Sequence, residues 1–290
     1  MDNTSISCSN YTLEENRPKS WKKEIMGTII AEHGIVKYVV KGATYFVKEN
    51  FAPSVQVFRE AIPSKRWKGI PETFFSNGPV EKLVSILGLG RCNMVAVRLA
   101  SDMDLEPGEE EQLRKLVGPT FYFSRSAHDY TPDKLPHDDP EIARGFQTVF
   151  DILVRNWDDG EDNMAMVQGI PVWFDFGVSL DPRCQNVYRF IMKLEEARRL
   201  GRVSTIVSYF MDYTRRRSQI LKRAVQAFQA IKKSEIRYAV RLSQVPIPAY
   251  FAEYIAKGLE NLPEDIDIIR GAFLRENVER RELHMPLPGI

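Results

Sequence analysis

Three oxygen-bearing side chains in one short stretch could do chemistry together. In the segment NWDDGEDNMAMVQGIPVWFDFG, residues 156–177, Asp158 is followed five positions later by Asn163. Twelve positions beyond that comes Asp175-Phe176-Gly177, closing an apolar run. Two carboxylates and an amide oxygen are the hard donors that Mg²⁺ prefers. Transfer of a γ-phosphoryl group needs cations to neutralise charge on the triphosphate, and a residue to orient or deprotonate the acceptor hydroxyl. Asn163 and Asp175 are the candidate Mg²⁺ ligands, and Asp158 is the candidate catalytic base. Gly160 gives the loop between Asp158 and Asn163 freedom to turn back on itself.

This spacing is that of the protein-kinase loop H-R-D-x-x-x-x-N and its downstream D-F-G, with Asn156-Trp157 in place of His-Arg. A lone D-F-G is a common tripeptide and an acidic loop is usually a solvated turn, so the information lies in the conjunction. Such a site also needs a strand lysine to hold the nucleotide phosphates and a helix glutamate to hold that lysine. Lys48 ends the strand-like run Tyr45-Phe46-Val47-Lys48, where alternation puts Lys48 and Phe46 on one face and Val47 and Tyr45 on the other. Glu81 opens EKLVSILGL, a helix expected from about Pro79 to Leu87, whose Leu83, Val84 and Leu87 are expected to face the core of the strand-rich part.

The elements that must carry these residues are legible in outline. GTIIAEHGIVKYVVKGATYFVKE, residues 27–49, is rich in Ile, Val, Tyr and Phe and punctuated at Gly34 and Gly42, which predicts three antiparallel strands with tight turns. Met94–Ala100 is another strand-like run, whereas Ser101–Glu111, Gly118-Pro119 and Ser124–Pro140 read as linkers and surface loops around short helices. From Pro140 a stronger helix sets Phe146, Val149, Phe150, Leu153 and Val154 on one face. It delivers the chain into the Asp158 loop, and Ile170–Phe174 reads as a buried strand ending at Asp175. Beyond Asn186 the pattern is helical: 186–200, 202–232 with a break near Arg215, 247–260 and 263–276. Strands followed by helices predict an α+β chain of two lobes. The expected division is a polar arm at 1–20, an N-terminal lobe at 21–100 with a small antiparallel sheet, and a mainly helical C-terminal lobe at 101–290.

Composition excludes several alternatives. A net charge of +1 gives no global attraction to nucleic acid or anionic membrane. The run Arg215-Arg216-Arg217 reads as a solvated helix surface. No apolar run is long enough for a membrane span, no leader-like apolar segment is visible, and three cysteines without metal-like spacing fit a reducing compartment. A cytoplasmic protein is the expectation. His33, His128, His137 and His284 are scattered without zinc-ligand spacing. His128-Asp129 and His137-Asp138-Asp139 read as surface-loop residues before substrate-entrance residues, and Trp67, Trp157 and Trp173 as core or cleft-wall residues.

With those motifs in place, the chain resembles the HipA-like kinases and, more distantly, the phosphoinositide 3-kinase-like group. GATYFVKEN and VEKLVSILGLG resemble that family's lysine strand and glutamate-led helix; FDILVRNWDDGEDN and VWFDFG resemble its catalytic and metal motifs. The resemblance covers about residues 24–180 and implies a bilobal protein-kinase-like fold with ATP between the lobes. Residue by residue it implies Lys48 as the nucleotide lysine, Glu81 as its partner, Asp158 as the catalytic aspartate, and Asn163 and Asp175 as Mg²⁺ ligands. Related loops follow the aspartate with Arg-His or Gly-His, whereas here Asp159-Gly160 follows, with Asp159 expected to add negative charge where phosphate must approach. There is no G-x-G-x-x-G loop and no A-P-E. The expected function is transfer of the ATP γ-phosphate to a hydroxyl acceptor of unknown identity, a protein Ser/Thr or a small molecule. A nucleotide-binding pseudokinase or interaction module without turnover, and transfer of AMP, stay open as alternatives.

Overall fold

The structure, a computed structural model, describes residues 27–50, 77–245 and 248–284. The expected arm at 1–20, Cys8, Trp67 and the basic run at 65–68 lie outside the described residues.

The predicted meander forms: β1 (Thr28–Glu32), β2 (Ile35–Val40) and β3 (Ala43–Glu49) pair antiparallel in sequence order. Each connection is two residues long with both φ positive, His33-Gly34 at 51° and 79° and Lys41-Gly42 at 51° and 72°. That is the turn whose twist matches the strands it joins, and glycine at the second position makes it cheap. The sheet is completed from further along the chain by β4 (Val97–Leu99) and β5 (Phe121–Arg125), in the order β1-β2-β3-β5-β4. β5 falls where no strand is expected, between the Gly118-Pro119 turn and the loop expected from Ser124. Phe121-Tyr122-Phe123 is buried on both faces and so shows no alternation to read. The strand-rich part therefore extends to Arg125, past the division expected at residue 100.

One face of this sheet, with Tyr38, Tyr45, Val47, Phe121 and Phe123, packs under Leu113 of a helix, Pro107–Leu116, one of the short helices expected among the loops of this region. Lys48 and Phe46 take the other face, as alternation predicts. The helix bearing Glu81, α1 (Asn77–Gly88), departs from expectation in what it packs against. Leu83, Val84 and Leu87 join the large helical core with Phe150 and Phe176, not the core of the sheet. The sheet's apolar face is already covered by the Pro107–Leu116 helix, labelled α2 below.

The helical part is built on α3 (Pro140–Val154), with Asp139 accepting from the Glu141 and Ile142 amides at its start. Phe146, Val149, Phe150, Leu153 and Val154 are buried as predicted, and so are Gln147, Thr148, Asp151 and Ile152, because helices surround α3 on several sides. α4 (Val187–Arg199), α5 (Thr205–Met211), α6 (Arg215–Gln229), α7 (Lys233–Leu242) and α8 (Pro248–His284) follow. The expected break near Arg215 is the gap between α5 and α6. The helices expected at 247–260 and 263–276 are one continuous helix. Pro263 cannot donate to the Leu259 carbonyl four residues back, and Gln229 Nε2 reaches that carbonyl instead at 3.4 Å. Arg215 and Arg216 are exposed, as a solvated helix surface requires, and Arg216 with the less exposed Arg217 also pairs with Asp139 and Glu141, linking α6 to α3.

α3 ends at Arg155, whose φ of 56° turns the chain out of the helix, and Leu180 donates to the Val154 carbonyl at 2.6 Å. The Arg155 guanidinium is buried over the Phe190 ring and paired with the buried Asp265 of α8. Removing one partner of such a pair strands the other charge out of water. Asp265→Ala is expected to lower the unfolding free energy by about 3–5 kcal/mol, read by urea denaturation; a loss below about 1 kcal/mol would show that the pair behaves as an exposed one.

Candidate active site

Two of the three groups of the central motif, Asn163 and Asp175, are placed by a hairpin. β6 (Met164–Val167) pairs with β7 (Ile170–Trp173) through a Gln168-Gly169 turn of the same two-residue kind, with Met164 opposite Trp173. The ladder continues one step further, Phe174 N–H donating to the Asn163 carbonyl at 2.9 Å. Asn163 and Asp175 therefore emerge from the same end of one hairpin. Asn163 Nδ2 donates to the Asp158 carbonyl at 2.8 Å, closing the loop that begins at the candidate base and fixing which end of the amide is spoken for. Its oxygen is left as the available donor atom. Asp175 sits at φ 64°, in the left-handed region that non-glycine residues enter at a cost and that aspartate tolerates better than most. Phe176 anchors the turn by burying its ring edge-on against Phe150 at 6.4 Å.

Lys48 comes to this hairpin from the sheet. Its ammonium lies 3.0 Å from Asp175, and Glu81 lies close behind it. The expected Lys48–Glu81 pairing is thus modified: the direct ion pair goes to Asp175, and Glu81 acts from deeper in the protein. Burial works to lower the Lys48 pKa, but the fields of Glu81 and Asp175 outweigh it and hold the ammonium above its ordinary value. Glu81 has no solvent exposure. Burial raises its pKa and Lys48 opposes that rise, while the Tyr122 hydroxyl and the Phe176 amide approach its carboxylate short of full hydrogen-bond geometry. Tyr122 stands directly opposite Lys48 across the β3–β5 ladder, so the pair share a face. Burial and Glu81 together push the Tyr122 hydroxyl far up, keeping it a neutral donor. Tyr122 carries no signal in the sequence, because β5 is buried on both faces and shows no alternation.

Asp158 and Asp159 are neighbours in sequence with opposite surroundings. Asp158 is partly exposed and pairs with Arg202, which sequence reading did not single out. Asp159 is buried and turned away from the candidate base, so the expected negative charge in the phosphate path is not there. Its Oδ2 accepts from Ser204 Oγ at 3.0 Å, Thr205 Oγ1 at 2.9 Å and Ile206 N–H at 2.6 Å, holding the start of α5. An anion is favoured at a helix N-terminus, but burial dominates and raises the Asp159 pKa to about 6. Asp151, buried beneath it and accepting from Gln147 and Asn156, is pushed well above the carboxylate range by burial, and Asp159 adds to the rise.

The other polar residues weighed from sequence have structural duties. Asp129 accepts from the Thr44 amide at 2.8 Å, and His137 exchanges backbone hydrogen bonds with the Asn93 side chain. Trp173 is core and Trp157 lies against it. Among the described residues no group of three or more His, Cys, Asp or Glu could hold a metal ion. Mg²⁺ in phosphoryl transfer takes one or two protein oxygens and fills the rest of its shell with phosphates and water, and the donor set Asn163 and Asp175 fits that requirement. No helix among the described residues is long and apolar enough to cross a membrane.

No family model and no curated protein matches the chain. Among solved structures, a Helicobacter pylori proinflammatory kinase, CtkA, matches with 12% sequence identity and a TM-score of 0.42, over 91% of this chain and 97% of that one. At that TM-score and identity, function has to be read from the side chains.

The sign of the Asp159 shift gives a stability prediction. Its folded pKa of about 6 lies above the ordinary carboxylate value, so the native state binds the extra proton between the two, and stability falls as pH rises through that window. In Asp159→Asn the amide oxygen can take the place of Oδ2, with the nitrogen where Oδ1 lacks a partner. The variant is expected to flatten the fall in unfolding free energy between pH values of about 4 and 7, measured by denaturant titration across pH. A slope identical to wild type would assign it to other groups.

Proposed function

We propose that this chain is an ATP-dependent phosphotransferase of protein-kinase-like, HipA-like type, moving the γ-phosphoryl group to a hydroxyl acceptor. The observation that carries the reading is the meeting of Lys48 from β3, Glu81 from α1 and Asp175 after β7 at the mouth of the Asp158–Asn163 loop. Residues far apart in sequence converge with the charge pattern that phosphoryl transfer requires.

Lys48 would hold the nucleotide phosphates, its charge secured by Glu81 underneath. Asn163 Oδ1 and the Asp175 carboxylate would hold Mg²⁺, which when bound neutralises charge developing on the triphosphate. Asp158 would take the proton of the acceptor hydroxyl. The acceptor oxygen forms its bond to the γ-phosphorus as the bond from that phosphorus to the bridging oxygen breaks, and ADP leaves with the electron pair. Asp175, nearly half exposed, and Asp158 both open to solvent, where a nucleotide and an acceptor can reach them.

Asp175→Ala is expected to weaken Mg²⁺-dependent ATP binding by roughly tenfold to a hundredfold, the scale of one lost interaction with a charged group, in calorimetric titrations. Asp158→Ala should leave that affinity near wild type and reduce turnover by about 10²–10⁴-fold. Equal Mg²⁺-ATP affinity in wild type and Asp175→Ala would remove the metal assignment. Label transferred from α-labelled instead of γ-labelled ATP would replace phosphoryl transfer with transfer of AMP.

A further inference from the structure

We propose that Arg202 is a positioning residue for Asp158, brought to the catalytic loop from the α4–α5 turn by the buried Asp159; the proposal rests on the phosphotransferase reading above. Arg202 follows Gly201, whose φ of 82° reverses the chain after α4 at a cost other residues would feel. The turn is then clipped to the catalytic loop. Gly160 and Ser204 form an antiparallel bridge that includes the Thr205 amide donating to the Asp159 carbonyl at 3.3 Å, the Thr205 hydroxyl shares its one proton between that carbonyl and the Asp159 carboxylate at 2.9 Å each, and the carboxylate also accepts from Ser204 and Ile206. With four donors from Ser204, Thr205 and Ile206 fixing the backbone after it, the Arg202 side chain needs only to reach across to Asp158, and it does so through Nη1 to Oδ1.

The contact divides the two carboxylate oxygens of Asp158. Oδ1 is held by the guanidinium, and Oδ2 has no partner among the described residues, so a rotamer of Asp158 is selected while one oxygen stays open to an approaching hydroxyl. An exposed ion pair contributes little to stability, and Arg202 is half exposed. The fold does not need the pair; the orientation of Asp158 does. The residue after Asp158 is thereby explained as well. A basic side chain there would lie on the loop itself, whereas Asp159 points inward, holds α5, and through α5 delivers a cation from 44 positions away.

The test uses the full-length protein and γ-labelled Mg²⁺-ATP, reading self-labelling plus hydrolysis. Arg202→Ala is expected to keep the wild-type melting temperature and Mg²⁺-ATP affinity while kcat falls by about 10²-fold, the scale of misplacing a reacting group. Arg202→Lys should recover part of that loss as a point charge without the planar fork. Millimolar guanidinium should restore activity to Arg202→Ala and not to Asp158→Ala, because the vacated site opens to solvent. Arg199→Ala, an exposed arginine on the same turn of chain, should match wild type. Unchanged kcat in Arg202→Ala, or an equal loss in Arg199→Ala, overturns the assignment of Arg202 alone. A wild-type protein that binds Mg²⁺-ATP but turns nothing over overturns the phosphotransferase reading, and the role of Arg202 with it.

Discussion

Glu81 is a carboxylate without solvent exposure, and the arrangement of the candidate site follows from what such a group demands. Taking an ion out of water costs several kcal/mol even after the protein relaxes, and no full hydrogen bond meets this one. Lys48 supplies the compensating charge from the sheet, and Tyr122 brings a hydroxyl from the neighbouring strand. Because Glu81 stands on a helix packed into the helical core, satisfying it ties the sheet to that core at one place. Asp175 shares the same lysine at the exposed edge, so the charge that stabilises the interior also organises the surface from which a nucleotide would be bound.

Below the Asp158–Asn163 loop a second buried acid does comparable work with neutral partners. Asp159 is met by two hydroxyls and an amide, and Asp151 by two side-chain amides. Burial pushes both carboxyls toward the protonated form, which is the less costly state for a group out of water. The loop is held by the hydrogen bonds to Asp159, while the exposed Asp158–Arg202 pair only orients Asp158, so its two consecutive aspartates differ in duty: one orders the scaffold, the other faces the solvent.

Much of this could be read in the chain before folding. Gly34 and Gly42 mark turns that only positive φ permits, and the alternation around Phe46-Val47-Lys48 assigns the lysine to the face away from the sheet's core. The apolar period in Phe146–Val154 places a buried helix ahead of the Asp158 loop. β5 escaped notice because a strand buried on both faces has no alternation, and α1 was assigned to the wrong core because period reveals that a face is buried and not what covers it. Pro263 marked a helix end that did not occur, since Gln229 from another helix meets the carbonyl that the proline leaves unpaired.

The sequence by itself determined the first three strands, the helix ahead of the Asp158 loop and the local spacing of Asp158, Asn163 and Asp175, because backbone preference and short loops are set by neighbours in the chain. The tertiary structure alone decided which charges meet: Lys48 with Asp175 ahead of Glu81, Arg202 with Asp158, and Asp159 with the start of α5. Electrostatic partnership depends on distance and burial, and neither is written in sequence separation. An aspartate that reads as a misplaced charge beside its neighbour becomes, once buried, the anchor that supplies the missing cation.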